Sequence, residues 1–432
     1  MARPELRVLI VGGGIGGLCL AQGLKRVGVA FTVFERDRDA DARLQGYRLN
    51  IEPVGSEALH ACLPSHLWNV LVATAGDPGP RMGVFDEQLR ELMQEDESGA
   101  LADARHAHHA VSRVTLRRIL LAGLGENVQF GKQFVRYERS DRGRVTAFFA
   151  DGTAATGDLL VGADGARSAV RRQLLPAARD IDVPAVGIGG KLPLTDAISE
   201  WLPRHMATMK NMILPSRDFL FTAAFRRRCS LADAAQNVRN ALSDTGVEAE
   251  ALLSGSEDFD YVMWAFVTHR KTFAQEVSGM DGQALRERIQ ERTTSWHPTL
   301  RRLLAETDAS TVRAFDFSAA AGVQRWETSH VTLLGDALHF MPPVGGMGGN
   351  AALRDAQLLC AALESVTSGK EDLVPALHRY EIAMIANGFS AVRSSLLYTR
   401  LAISRFRPLR SVARLFFRAC GRSPFLRRMI FQ

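Results

Sequence analysis

Residues 6–35 restrict the fold of this chain more than any other stretch. Residues 6–11 are an apolar, β-branched run of the kind buried on both faces of a parallel sheet. The run ends at Gly12-Gly13-Gly14-Ile15-Gly16-Gly17, where Gly12, Gly14 and Gly17 keep the G-x-G-x-x-G spacing. A helical pattern follows, with Ile15, Leu18, Cys19 and Leu24 on one side, and a second strand over 29–34 stops at Glu35. Glycines let a backbone approach a pyrophosphate, free helix N–H groups point at its charge, and an acid at the second strand's end accepts hydrogen bonds from a ribose. A dinucleotide site is therefore expected at Gly12, Gly14, Ile15, Gly17, Glu35 and Arg36. Which dinucleotide, these residues leave open.

With 432 residues the chain is long enough for two or three domains, and 46% apolar residues exclude a disordered chain. A net charge of +6 is compatible with an anionic cofactor, an acidic partner or a membrane surface, and selects none of them. The cysteines Cys19, Cys62, Cys229, Cys360 and Cys420 are scattered and form no C-x-x-C pair, which reads as reduced packing residues in a cytoplasmic protein. No leader pattern opens the sequence, and no run of 18 apolar residues supplies an integral membrane segment.

Further along, residues 46–51 form a short extended run in which Arg48 can reach a phosphate or a substrate. His106, His108 and His109 crowd one segment without cysteines or patterned carboxylates, so no metal site is expected there. Ser112 can cap a helix whose first turn holds Arg113, a cation opposing the dipole there, for which a bound anion is one reason and an ordinary solvated arginine the other. Residues 128–137 and 145–150, with the Asp151-Gly152 turn, read as an antiparallel meander. Residues 158–162 are another buried strand, closed by Ala163-Asp164-Gly165. From about 182 to 310 the pattern changes to strands at 186–192, 209–214, 219–226 and 261–268, with helical stretches at 231–243, before the last strand, and at 281–305, after it. Phe219, Phe221 and Phe225 share one face of an extended segment, as do Val262, Trp264 and Phe266. Residues 331–334 then form one more buried strand, ending at Gly335-Asp336 before a Pro342-Pro343 turn, the glycine run 345–349, Asn350 and a helix over 351–363.

Beyond Gly369 the chain reads helical, with Pro375, Gly388 and Pro408 as interruptions. Residues 382–432 contain no Asp or Glu, and 393–432 contain ten arginines. The favoured reading is a C-terminal helix packed on the body with its arginines in water or paired to acids; peripheral contact with an anionic membrane is the alternative. Without a stacking platform, zinc module or helix-turn-helix, no nucleic-acid partner is expected.

Three separated segments, Gly12 to Gly17 with Glu35, Asp164-Gly165, and Gly335-Asp336 through Asn350, together resemble the fingerprints of the single-component FAD-dependent aromatic hydroxylases, the class A flavoprotein monooxygenases similar to para-hydroxybenzoate hydroxylase. The resemblance implies an α/β fold: a Rossmann-like FAD-binding domain (1–75, 105–181 and 311–365), an inserted mixed-sheet substrate domain (76–104 and 182–310) and C-terminal helices (366–432). It implies that Glu35 holds the adenosine ribose, Arg113 approaches the pyrophosphate or ribityl region, Asp164 and Gly165 serve both FAD and the reduced nicotinamide, and Asp336 binds the ribityl chain. Pro343 and the backbone of Gly346, Met347, Gly348, Gly349 and Asn350 then lie beside the flavin ring, with the chemistry at Pro343, Gly346, Met347 and Gly348. Leu338 and Met347 depart from the family's usual small residue and glutamine, which implies a bulkier, more apolar site. His339 reads as a structural hydrogen-bonding residue rather than a base.

The reaction implied is reduction of resident FAD by NADPH or NADH, formation of a flavin C4a-hydroperoxide with O2, and hydroxylation of an aromatic or polycyclic, polyketide-like small molecule. Arg48, Met212, Phe221, Trp264 and Phe266 are the expected substrate-pocket residues. Rival readings are Baeyer–Villiger oxygenation, epoxidation, or a non-oxygenating FAD protein held at a membrane by its basic C-terminal helix.

Overall fold

Strands that are apolar on both faces build the first layer. β1 (Arg7–Val11), β11 (Leu159–Gly162) and β17 (Val331–Leu333) are buried along almost their whole lengths. With β2 (Ala30–Phe34) and β7 (Val128–Gln129) they form a parallel sheet in the order β17-β11-β1-β2-β7. The computed structural model describes residues 6–42, 48–79, 81–96, 103–141, 143–242, 252–253, 259–273, 277 and 279–423, so Gly46 and Tyr47 of the expected extended run lie outside the described residues. Helices α1 (Ile15–Arg26) and α7 (Met347–Thr367) pack against one another beside this sheet. The expected strand over 128–137 is split. Its first two residues join the parallel sheet, and Gly131, at φ 71°, turns the chain into the meander of β8 (Phe134–Arg139), β9 (Val145–Phe149) and β10 (Ala154–Gly157).

The second sheet is inserted between β11 and β17 and recruits two strands from upstream. Its order is β16 (Arg313–Ala320), β12 (Asp180–Pro193), β15 (Tyr261–His269), β14 (Phe219–Phe225), β13 (Lys210–Ile213), β4 (Arg81–Phe85), β5 (Glu91–Asp96). All neighbours are antiparallel except β13 and β4, so the sheet is mixed. β16 corrects the boundary drawn at residue 311: its ladder to β12 makes 313–320 part of this sheet, not of the dinucleotide body. One face packs on helices α5 (Gly282–Arg292) and α6 (Pro298–Glu306), and the other joins the core that contains the first sheet. Between the two sheets, β3 (Arg48–Ile51) pairs with β6 (His109–Ser112), which leads into helix α3 (Arg113–Leu121).

Helices α8 (Leu373–Ala402) and α9 (Arg407–Arg422) complete the chain as the expected helical region. Gly388 does not interrupt α8. It removes a side chain where a Cβ would collide with the His339 ring. Among the described residues no helix is long and apolar enough to cross a membrane.

Candidate active site

The parallel register brings the separated motifs to one place. Val11 pairs with Gly162 on one side and Phe34 on the other, and Gly162 pairs with Leu333. The turns at Gly12, Ala163-Asp164 and Gly335-Asp336, together with Glu35, therefore all leave the carboxyl edge of one sheet, where open α/β sheets bind ligands.

The glycines of the first turn divide into two kinds. A Cβ at Gly12, which has φ 110°, would run into the Ala163 carbonyl, and one at Gly17 would run into the Gly12 carbonyl, so both are required by packing. At Gly14 a Cβ would meet nothing within 4 Å, and Gly14 caps α1 without a side-chain bond or an acid in the first turn. The positive end of the α1 dipole is left open toward an anion. Glu35, only 3% exposed, accepts from Gly13 N at 2.7 Å through Oε2 and from Asp37 N at 3.0 Å through Oε1. It holds the turn at the end of the second strand. Ile15 starts α1, and Arg36 is exposed just past the strand end.

Arg117 escaped the sequence reading. Its buried guanidinium donates to the Gly13 carbonyl and lies 4.0 Å from Asp37 Oδ2, tying α3 to the glycine turn. The available signal was its position one helical turn after Arg113, on the same face. Arg113 itself is exposed at the start of α3, capped by Ser112, and its charge acts on Asp336.

Asp164 Oδ2 accepts from Ala169 N at 2.7 Å, holding the start of helix α4 (Ala169–Leu174), while Oδ1 is buried with no partner among the described residues. Burial is the main cause that raises the Asp164 carboxyl above its usual range. Gly165, at φ 77°, has open space where a Cβ would be. Asp336 is open to solvent yet crowded by protein on its remaining sides. That crowding pushes its carboxyl up, opposed by the charges of His339 and Arg113.

The third motif is fixed from behind. Gly335 N donates to Asp355 Oδ2 at 2.9 Å, and Ser395 Oγ donates to the Pro342 carbonyl at 2.7 Å. Pro343 and Gly346 are exposed, and Gly345 and Gly346 have φ 93° and 67°. Helix α7 then begins at Met347 with no side-chain cap and no acid in its first turn. A Cβ on Gly348 would sit 3.7 Å from Asp336 Oδ1, and one on Gly349 would meet nothing. The Asn350 side chain is committed to the protein: Oδ1 accepts from Glu52 N at 2.9 Å, and Nδ2 donates to the carbonyls of Asn50 at 3.0 Å and Gly346 at 3.1 Å. It clamps β3 to the glycine loop.

The expected substrate residues separate. Met212 and Phe221 are cross-strand partners, both half-buried, on the sheet face turned toward the dinucleotide body. Phe221 is paired with Ala265, so Trp264 and Phe266 point to the opposite face. There Trp264 Nε1 donates to Thr307 Oγ1 at 2.8 Å and Phe266 packs on Trp296, both aromatics fully buried against the helices. These two are core residues, a correction set by register. Arg48 is buried at the junction of the two sheets and donates to the Ala224 carbonyl. Two largely buried cations on the Met212 face, Lys191 and Lys210, were also missed; they share one cross-strand row with Ala223 and Met263. Their signal was a lone lysine inside each apolar strand.

Gly14, Gly165, Gly346 and Gly349 leave open faces, Asp164 holds a buried oxygen without a partner, and two helices present bare N-termini. An elongated dinucleotide with an anionic centre fits this cradle, and the fold and site define a class: flavin-binding proteins with a Rossmann-like body and a mixed-sheet second layer. The family described as FAD binding domain matches residues 5–382, and the chain belongs to it, among the single-component class A flavoprotein monooxygenases. It is 35% identical over 408 residues to a dual O-methyltransferase/FAD-dependent monooxygenase of Phaeosphaeria nodorum, covering 86% of this chain and 42% of the relative. The chain thus spans less than half the length of that relative. An FAD-dependent urate hydroxylase of Klebsiella pneumoniae is 27% identical, with 87% of this chain and 85% of the relative covered. Among solved structures, a putative FAD-containing monooxygenase from Photorhabdus luminescens superposes with a TM-score of 0.81 at 34% identity, covering 93% of this chain and 99% of that one.

Proposed function

We propose that this chain holds FAD as a resident cofactor and uses NADH or NADPH with O2 to hydroxylate an aromatic or polycyclic, polyketide-like small molecule. The convergence of three motif turns on one sheet edge carries this reading. When bound, FAD supplies the redox and oxygen-activating chemistry.

The protein's part is binding, orientation and exclusion of water. The α1 N-terminus and Gly14 take the pyrophosphate, Glu35 the ribose, and Arg113 and Asp336 the segment between pyrophosphate and ring. Pro343, Gly346, Met347 and Gly348 border the reacting end, where the bare α7 N-terminus stabilises negative charge. Met212 and Phe221 offer an apolar wall that shields the reaction from water, with Arg48 at its margin. Hydroxylation is favoured over Baeyer–Villiger oxygenation or epoxidation by relatives that combine a monooxygenase with an O-methyltransferase, since a new hydroxyl is what such a partner activity can methylate.

The test is the visible spectrum of the purified protein, then anaerobic reduction by each nicotinamide and O2 consumption with a panel of phenolic and polycyclic compounds. Bound FAD, reduction by one nicotinamide and substrate-stimulated O2 uptake are expected. FAD that neither nicotinamide reduces, with every compound tried, overturns the reading.

A further inference from the structure

Helix α9 is packed inside out. Two of its arginines face the protein: Arg410, 5% exposed, donates to the carbonyls of Ala402 and Ser404, and Arg414 donates to the Leu214 carbonyl at 2.8 Å and pairs with Glu87. Phe417 and Cys420 complete the inner side against Leu92 and Met93 of β5. The apolar side chains face outward, with Val412 61%, Leu415 67% and Phe416 42% exposed. Leu409, Phe406 and, on α8, Leu397 and Leu401 are exposed as well. Eight of the eleven large hydrophobic side chains exposed among the described residues fall between 397 and 416, a concentration in one stretch of the chain rather than the usual scatter.

Cations surround it. Arg393, Arg400, Arg405, Arg418 and Arg422 are exposed, and no Asp or Glu occurs from 382 onward. Apolar side chains with a cationic rim, held on a rigid helix, match the boundary between acyl chains and anionic headgroups. At 16 residues, roughly 24 Å, α9 is suited to lying in that boundary and is too short to span it.

We propose that this face docks on an anionic lipid surface, with the α9 side chains Val412, Leu415 and Phe416 in the headgroup–acyl boundary and the rim arginines on lipid phosphates. Charge decides against a second copy of the chain as the occupant. Arg418 is paired with Asp86 at 3.8 Å, but a two-fold contact would still set the exposed Arg393, Arg400, Arg405 and Arg422 against their own copies, whereas anionic lipid neutralises them. Tyr398, 49% exposed at one end of the patch, lies beside the Gly345 turn, where a Cβ would be 3.3 Å from its ring. The docking face therefore adjoins the glycine loop before α7. The proposal does not rest on the reaction assigned above.

The test is co-sedimentation of the full FAD-loaded chain with phosphatidylcholine vesicles, with and without about 30% phosphatidylglycerol, at about 0.1 M and 0.5 M NaCl. Partitioning onto the anionic vesicles is expected to exceed that onto phosphatidylcholine by about tenfold or more and to fall with salt. The triple variant Val412→Gln, Leu415→Gln, Phe416→Gln should lose about tenfold in partitioning while its flavin spectrum and melting temperature stay unchanged. Arg400→Gln with Arg405→Gln should remove only the preference for anionic lipid. Equal partitioning of the triple variant and the parent overturns the proposal. So does a failure of the parent to bind, including the case in which sedimentation velocity shows a dimer that the triple variant abolishes.

Discussion

His339 Nε2 lies 2.6 Å from Asp355 Oδ2, in a site where both side chains are essentially without solvent contact, and the same oxygen accepts Gly335 N–H at 2.9 Å. This pair fixes the turn carrying Asp336 to the helix that begins at the glycine loop, so two sides of the cleft share one buried anchor. The histidine is structural, in keeping with its reading from sequence.

Burial alone would lower the His339 pKa, but the Asp355 charge, the hydrogen bond to it and the Asp336 charge raise it above 6.5 overall. A group with a raised folded pKa stabilises fully below its unfolded value and loses that contribution as pH rises through the folded value. Urea unfolding of the parent should therefore show this stability at acid pH and its decline above pH 6.5, with a flatter profile in His339→Gln. Identical slopes would remove the pair from the pH dependence. Asp355→Asn should cost about 3–5 kcal/mol, as expected when one partner of a buried pair is removed.

Gly388→Ala places a methyl group into the His339 ring. Overpacking of this kind costs about 1–3 kcal/mol, even though alanine is the better helix former. A melting temperature equal to or above the parent's would show that the ring moves away freely.

Gly14 and Gly17 should fail in different ways. Gly17→Ala drives a Cβ into the Gly12 carbonyl and should lower the stability of the cofactor-free protein. Gly14→Ala meets nothing in the protein and should leave that stability within about 0.5 kcal/mol, while weakening FAD retention by about tenfold or more. Differential scanning fluorimetry and flavin fluorescence titration read the two effects separately.

The two faces of the second sheet make an equally direct contrast. Phe221→Ala should change substrate affinity, or the fraction of reduced nicotinamide coupled to hydroxylation, while FAD stays bound. Trp264→Phe removes the indole donor to Thr307 and should cost about 1–2 kcal/mol of stability with coupling unchanged. A coupling defect in Trp264→Phe, with a parent-like profile in Phe221→Ala, would reverse the assignment of the faces.

The local geometry of the first glycine turn, with its strand and helix, was legible from residue order alone. An apolar run, glycines at fixed spacing, a helix and an acid constrain their own neighbourhood, because the turn they form depends on steric freedom within a few residues. The same holds for Ser112 capping α3 and for the glycines before Met347. Long-range register was not legible. Phe221 and Trp264 each belong to an apolar stripe of their own strand, and only the pairing of Phe221 with Ala265 decides that one faces the cleft and the other the helices. Arg117, Asn350 and Gly388 owe their roles to partners distant in sequence: a carbonyl in the glycine turn, β3 and its following residue, and the His339 ring. Helix α9 makes the same point at the surface. Its sequence specifies an amphipathic basic helix, but the carbonyls of Ala402 and Leu214 and the carboxylate of Glu87 turn its arginines inward and its apolar face out. Sequence by itself determined the elements and the glycine turns; tertiary packing decided which face of each element is buried and against what, because facing depends on partners that lie far along the chain.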